Sequence, residues 1–180
     1  MNSLEELLIA YEKKLEMEKE NELNRWLNES VLDPIHNELD KDVWDKDLKI
    51  KEKHREFIIN RFNDWLEKLK INVKPKKMYI IGSITSYQYS KDSDIDVNVV
   101  IDLSDVKRKE LIKILPNGAF LPQTSHPVNY YLAKDAGENA LSKPAVYDLF
   151  DNKWIKKPKK ENVKYPYSYV LEIAKFFMDG

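Results

Sequence analysis

Glycine is scarce in this chain, with four among 180 residues, and one of the four, Gly82, closes a short apolar run and is joined to Ser83. The run 78–81, Met-Tyr-Ile-Ile, has the length and character of a buried strand. A glycine at its end lets the backbone approach something a side chain would keep away. After a polar loop, residues 84–93, the pattern turns to alternation. Ile95, Val97, Val99 and Ile101 interleave with Asp94, Asp96, Asn98 and Val100. A period of two predicts a strand with one buried face and one wet face. Two apolar strands, punctuated by Gly-Ser and joined by a polar loop, fix most of what can be built around them.

The wet face carries the chemistry. Asp94 and Asp96 are two apart, so both carboxylates leave the same side while Ile95 points into the core. Carboxylates that close repel unless a cation lies between them. Oxygen donors with no nearby His or Cys suit Mg²⁺ or Mn²⁺, and Mg²⁺ usually shares itself with substrate phosphates. An open two-carboxylate site therefore suits a nucleoside triphosphate. In a two-metal arrangement one ion activates the attacking oxygen and the other holds the leaving pyrophosphate. Gly82 and Ser83 fit the phosphate side, because backbone N–H groups and the Ser83 hydroxyl can donate to phosphate oxygens. Lys91, Ser93, Thr85 and Ser86 are further candidates for that side. A lone pair of acids two apart is most simply two solvated charges. The whole succession, strand, Gly-Ser, polar loop, then Ser93-Asp94-Ile95-Asp96-Val97, is far more specific.

Helical periodicity brackets this centre. Residues 3–30 read as a helix opened by a Ser3/Glu6 capping box, with Leu4, Leu7, Leu8, Tyr11 and Leu15 at helical spacing. Asp33-Pro34 ends it. Residues 39–49 read as irregular, anchored by Trp44. A second helix is expected over 51–70, with Phe57, Ile58, Phe62, Trp65, Leu66 and Leu69 as its buried stripe. Further along, the expectations are a short helix over 105–115, a third strand over 128–133, one helical turn at 145–150, and a final amphipathic helix over 169–178. The fold class expected is α+β, a small mixed β-sheet flanked by helices with an N-terminal helical extension. The domain reading is an extension over 1–45, the central domain over 46–160, and a C-terminal helix within 161–180 packing on it.

Composition removes several alternatives. There is no cysteine, so disulfides, thiolate catalysis and Cys-ligated zinc are excluded within this chain. His36, His54 and His126 form no close pair in sequence, which argues against a His-based zinc site. Lys+Arg 30 nearly cancel Asp+Glu 31, so global charge points to no polyanion. No apolar run reaches the roughly 18 residues of a membrane span, and the charged N-terminus is unlike a signal peptide. A soluble cytoplasmic protein is the expectation.

The segments Ile80-Ile81-Gly82-Ser83 and Asp92-Ser93-Asp94-Ile95-Asp96-Val97 resemble the hallmark of the polymerase-β-type nucleotidyltransferase superfamily. Leu39-Asp40-Lys41-Asp42-Val43-Trp44-Asp45, Pro127-Val128-Asn129-Tyr130-Tyr131, and Val146-Tyr147-Asp148-Leu149 with Asn152-Lys153-Trp154-Ile155 are similar to small phage-encoded nucleotidyltransferases. The likeness spans residues 39–158 and would place the protein in a host cytoplasm. It implies a nucleotidyltransferase-type mixed sheet, Mg²⁺, and transfer of a nucleotidyl group from an NTP to a hydroxyl acceptor: an RNA end, a protein side chain or a small molecule. It also implies a third carboxylate on a neighbouring strand, where this chain offers Asn129. An amide supplies a carbonyl oxygen but neither charge nor useful basicity. The alternative is therefore a catalytically weakened or inactive member that binds nucleotide, nucleic acid or protein. Asp102, Asp135 and Asp148 are weaker substitutes for the missing acid, each more simply a strand-end, loop or turn residue.

Other residues have plain readings beside functional ones. His126 is read as a loop histidine with a packing role, or as a lining residue of the site. Trp26, Trp44, Trp65 and Trp154 are packing anchors before they are base-stacking platforms. Lys153, Lys156, Lys157, Lys159 and Lys160 form the densest basic run, a solvated tail or else a nucleic-acid contact. Tyr165, Tyr167 and Tyr169 beside it add a mild hint of nucleic-acid affinity.

Overall fold

The computed structural model describes residues 35–135 and 140–160, together with 13, 14 and 17. The chain divides into two units, and residues 35–135 and 140–160 all belong to the second, Pro34–Val163. Residues 13, 14 and 17 are helical. The rest of the expected N-terminal helix and the expected C-terminal helix lie outside the described residues.

The second unit is α+β. Its elements are α1 (Glu52–Lys68), β1 (Lys77–Ile81), a 3₁₀ turn (Ser83–Thr85), β2 (Ile95–Val100), α2 (Asp105–Ile112), β3 (Ala119–Phe120), β4 (Pro127–Ala133), β5 (Val146–Asp148) and β6 (Lys153–Lys156). The strands form one mixed sheet in the order β3-β4-β2-β1-β5-β6. β2 and β4 run parallel, and the other pairings are antiparallel. The link between β2 and β4 passes through α2, as a parallel pairing requires a crossover.

One sheet face makes the main core. Met78, Ile80, Ile95, Val97, Val99, Val128, Tyr130 and Tyr147 are buried there together with Ile58, Phe62 and Leu66 of α1. The buried positions of α1, His54, Ile58, Phe62 and Leu66, recur every four residues, which keeps them on one stripe. Tyr130 fixes the helix by donating its hydroxyl to the Ile58 carbonyl at 2.8 Å. Leu69, expected in the stripe, caps the helix and is 38% exposed. Beyond β2, Ser104 caps α2 by accepting from the Lys107 N–H.

The segment before α1 is irregular, as expected, and it sends several side chains into the core while most of its charged residues stay exposed. Asp40 forms a side-chain turn by accepting the Asp42 N–H at 2.8 Å. That turn drives Leu39, Val43 and Trp44 inward, where all three are buried. Trp44 packs on Tyr147 and Trp154.

Three expectations need correction. Residues 145–150 hold strand β5, not a helical turn: Tyr79 pairs with Asp148 and Ile80 with Tyr147. Burial of Tyr147 between β1 and Trp154 decides this, and three residues are too few to show a period. The basic run is not wholly a tail, since Lys153–Lys156 is strand β6 beside β5. The wet face of β2 is wet only at its start. Asn98 and Val100 are buried, and Val100 lies in a small second cluster with Tyr79, Ile81, Ala140 and Val146.

Candidate functional site

The uncovered corner of that second face holds the acids. Asp94 immediately precedes β2 and is exposed; Asp96 lies within the strand and is half-buried. In the parallel register Asp96 stands opposite Asn129 of β4, and in the antiparallel register opposite Ile81 of β1. The residue after Ile81 is Gly82, so the Gly-Ser turn is delivered directly over Asp96. A Cβ at Gly82 would lie 2.8 Å from Asp96 Oδ2, and Gly82 has φ 90°. Both the close approach and the positive φ require glycine here.

The turn after Gly82 is held from beneath. The Thr85 N–H and hydroxyl both donate to the Gly82 carbonyl, at 3.1 and 2.6 Å. The Trp44 indole N–H donates to the Ile84 carbonyl at 2.9 Å. Ser83 donates its hydroxyl to Ser93 Oγ at 3.1 Å, and Ser93 Oγ also accepts the Ser90 N–H at 2.9 Å. The two serines thus tie the Gly-Ser turn to the residue preceding Asp94.

The structure brings Asp94, Asp96, Asn129, Gly82, Ser83 and Ser93 into one corner. Asn129 Nδ2 donates to Asp94 Oδ2 at 3.0 Å. Tyr131, two residues on and therefore on the same face of β4, donates its hydroxyl to Asp96 Oδ1 at 3.3 Å. Burial, and then the charge of Asp94, push the Asp96 carboxyl above the usual carboxylate range, against the Tyr131 hydrogen bond and the Lys143 charge. Burial, and then Asp96, push the Tyr131 phenol up as well. An acid strained upward by a like charge is the electrostatic setting a cation relieves.

The Lys91 backbone carbonyl accepts from the Ser125 hydroxyl at 2.6 Å, its side chain is exposed, and no ion pair joins it to Asp94 or Asp96 among the described residues. The cation whose field does reach Asp96 is Lys143. Tyr131 and Lys143 carry no sequence signal of their own; only the pairing of β4 with β2 brings Tyr131 in. The weaker acid substitutes are engaged elsewhere or peripheral. Asp148 is buried, pairs with Lys77 at 2.8 Å and caps the turn after β5. Asp102 is exposed and pairs with Lys76 at 3.7 Å, and Asp135 is exposed.

His126 has the packing role. It is buried, and its Nδ1 lies 2.8 Å from the Ser93 carbonyl, so it props the backbone next to Asp94. Its Nε2 faces Asp40 Oδ2 at 3.1 Å. Asp40, Asp42 and His126 together could hold a metal ion, with ligand atoms all within 4.8 Å of one another. Nothing in the sequence joins these residues, because the contact is made only when the segment before α1 folds against the β3–β4 turn.

The fold and its corner define a small α+β protein with a two-carboxylate site on a mixed sheet. No family model, curated protein or solved structure matches the chain. No helix among the described residues is long and apolar enough to cross a membrane.

Proposed function

We propose that this chain is a nucleotidyltransferase-fold protein that binds a Mg²⁺–nucleoside triphosphate and transfers its nucleotidyl group to a hydroxyl acceptor. The observation that carries this reading is the position of Gly82 over Asp96, with Asp94 and Asn129 beside it. Two carboxylates with no nearby His or Cys make an oxygen donor set, which fits Mg²⁺ or Mn²⁺. The upward push on Asp96, from burial and then from Asp94, supports a cation in this corner, and the close approach of the Gly82 backbone to Asp96 sets Gly82–Ser83 beside it. Bound there, the ion would supply charge neutralisation for the phosphoryl oxygens.

The chain's own residues divide the remaining work. Asp94 and Asp96 are the metal ligands. The Gly82–Ser83 backbone and hydroxyl lie on the triphosphate side, and Ser93 holds Ser83 in place. Lys143 is placed to add positive charge near the phosphates. Tyr131 orients the Asp96 carboxylate through its hydrogen bond.

A second reading is favoured by one contact. Asn129 points its amide N–H groups at Asp94, 3.0 Å away, where a third acid would bring charge and a proton acceptor. In that reading the chain binds nucleotide and turns it over weakly or not at all. Transfer of α-labelled NTP to the protein itself, to RNA and to small hydroxyl compounds separates the two, using wild type and Asn129→Asp. Turnover by wild type equal to that of Asn129→Asp supports the enzyme. Turnover seen only in Asn129→Asp supports the binding protein. Transfer by neither, with no nucleotide affinity, removes both.

A further inference from the structure

We propose that Asp40, Asp42 and His126 form a second cation site, separate from Asp94 and Asp96, that takes a borderline transition-metal dication of the Zn²⁺ class. The proposal stands on geometry independent of nucleotidyl transfer. The Ser93 carbonyl can only accept, so His126 Nδ1, 2.8 Å away, carries the proton. On the neutral ring the lone pair is then on Nε2. That atom is buried and lies 3.1 Å from Asp40 Oδ2, off the alignment of a hydrogen bond; against burial, which lowers it, the Asp40 carboxylate and the Ser93 carbonyl hold the metal-free His126 ring above the usual histidine range. A proton on Nε2 makes this contact an ion pair; when that proton leaves, the lone pair faces a carboxylate, and a shared cation takes the proton's place with a bond to each. Two ligand atoms each about 2.0–2.2 Å from one ion stand roughly 3.0–3.5 Å apart at right or tetrahedral angles. The observed separation falls in that interval.

The other ligands are similarly prepared. Asp40 Oδ1 is occupied by the Asp42 N–H, which leaves Oδ2 for the ion. Asp42 is exposed and gives the ion a path from solvent. Its backbone carbonyl lies 2.9 Å from Nε2 of the buried His54, which holds the turn from the side of α1. A ligating histidine whose second nitrogen donates to a backbone carbonyl is the usual outer-shell arrangement at metal centres, and His126 has it in the Ser93 contact. Two carboxylates and one imidazole balance a dication, and the mixed oxygen–nitrogen set favours Zn²⁺ over Mg²⁺. The bound ion would fasten the 40–42 turn to the backbone beside Asp94.

The test is titration of the full chain with Zn²⁺, read from the ¹⁵N signals of the three histidine rings and from thermal melting. It is run on wild type, on Asp94→Asn/Asp96→Asn, and on Asp42→Asn, whose exposed side chain leaves the fold intact. The expected result is one equivalent of Zn²⁺ shifting His126 Nε2, with His36 and His54 unmoved and the melting temperature raised. The response persists in Asp94→Asn/Asp96→Asn and weakens at least about tenfold in Asp42→Asn. A His126 ring that stays doubly protonated at saturating Zn²⁺ overturns the proposal, leaving a plain ion pair with Asp40. So does a response unchanged in Asp42→Asn, or one lost in Asp94→Asn/Asp96→Asn.

Discussion

Gly82 lies against Asp96 so closely that the Cβ of any other residue at position 82 would stand 2.8 Å from the Asp96 Oδ2 atom. The strand pairing makes this unavoidable, because Ile81 is opposite Asp96 and the chain turns at the next residue.

Gly82→Ala should therefore damage both fold and binding. With φ 90° and ψ −167°, position 82 occupies a region open essentially to glycine, worth about 1–3 kcal/mol of strain for other residues. Urea denaturation should show a loss in that range, together with lost nucleotide affinity. A variant as stable and as competent as wild type would show that the close approach has no role.

Asp96→Asn should have opposite effects on stability and on binding. Burial and Asp94 raise the Asp96 carboxyl, so the folded state holds that proton more tightly than the unfolded chain. Stability then falls as pH rises from the ordinary carboxylate range through the raised value, and stays lower above it. At neutral pH without metal, the neutral amide should gain about 1 kcal/mol. Millimolar Mg²⁺ should stabilise wild type and leave the variant unchanged; a variant less stable than metal-free wild type would contradict this account of Asp96.

Trp44→Phe tests the support under the site without touching an acid. It removes the donor to the Ile84 carbonyl and leaves a buried acceptor unpaired, at a cost of about 1–3 kcal/mol. Hydrogen exchange should quicken at Thr85 and Ser86, whose N–H groups close the turn onto the Gly82 and Ser83 carbonyls. Unchanged protection there would mean that Trp44 packs without holding the turn.

Far from the site, Lys77 reaches Asp148 and Asp151, each at 2.8 Å. Its ammonium is held above the usual lysine range by those two hydrogen bonds, and Asp151 is held below the usual carboxylate range by Lys77. The Asp151 contribution is present above the ordinary carboxylate value and is lost as pH falls through the depressed one. The Lys77 contribution is present below the ordinary lysine value and is lost as pH rises through the raised one. Lys77→Met should thus lower the melting temperature across neutral pH and flatten its decline on acidification. An acid limb identical to wild type would place the acid sensitivity elsewhere.

What the sequence exposed and what it concealed follow from range. β1, β2, α1 and α2 were legible because each carries its own period or cap, and Asp94, Asp96, Gly82 and Ser83 sit on or beside two of them. β5 was not, since its three residues show no period and are made a strand by their pairing with β1 on one side and β6 on the other. The buried end of the β2 polar face was hidden for the same reason: Asn98 and Val100 look solvated until Tyr79, Ala140 and Val146 surround that end of the strand. Tyr131 joins the site only through the parallel β2–β4 register, and His126 meets Asp40 only through a contact between distant segments. Lys143, whose charge acts on Asp96, had no sequence signal because only the fold brings it near β2.

If Asp94 and Asp96 hold a divalent ion that carries a nucleoside triphosphate against Gly82 and Ser83, triphosphate binding depends on that ion and on both acids. Calorimetric titration of ATP, GTP, CTP and UTP, with and without Mg²⁺, into wild type and Asp94→Ala/Asp96→Ala tests it most directly. At least one triphosphate is expected to bind only with Mg²⁺ present, and to lose that binding in the double variant while the fold is retained. Affinity that is independent of Mg²⁺, or unchanged in Asp94→Ala/Asp96→Ala, would contradict it.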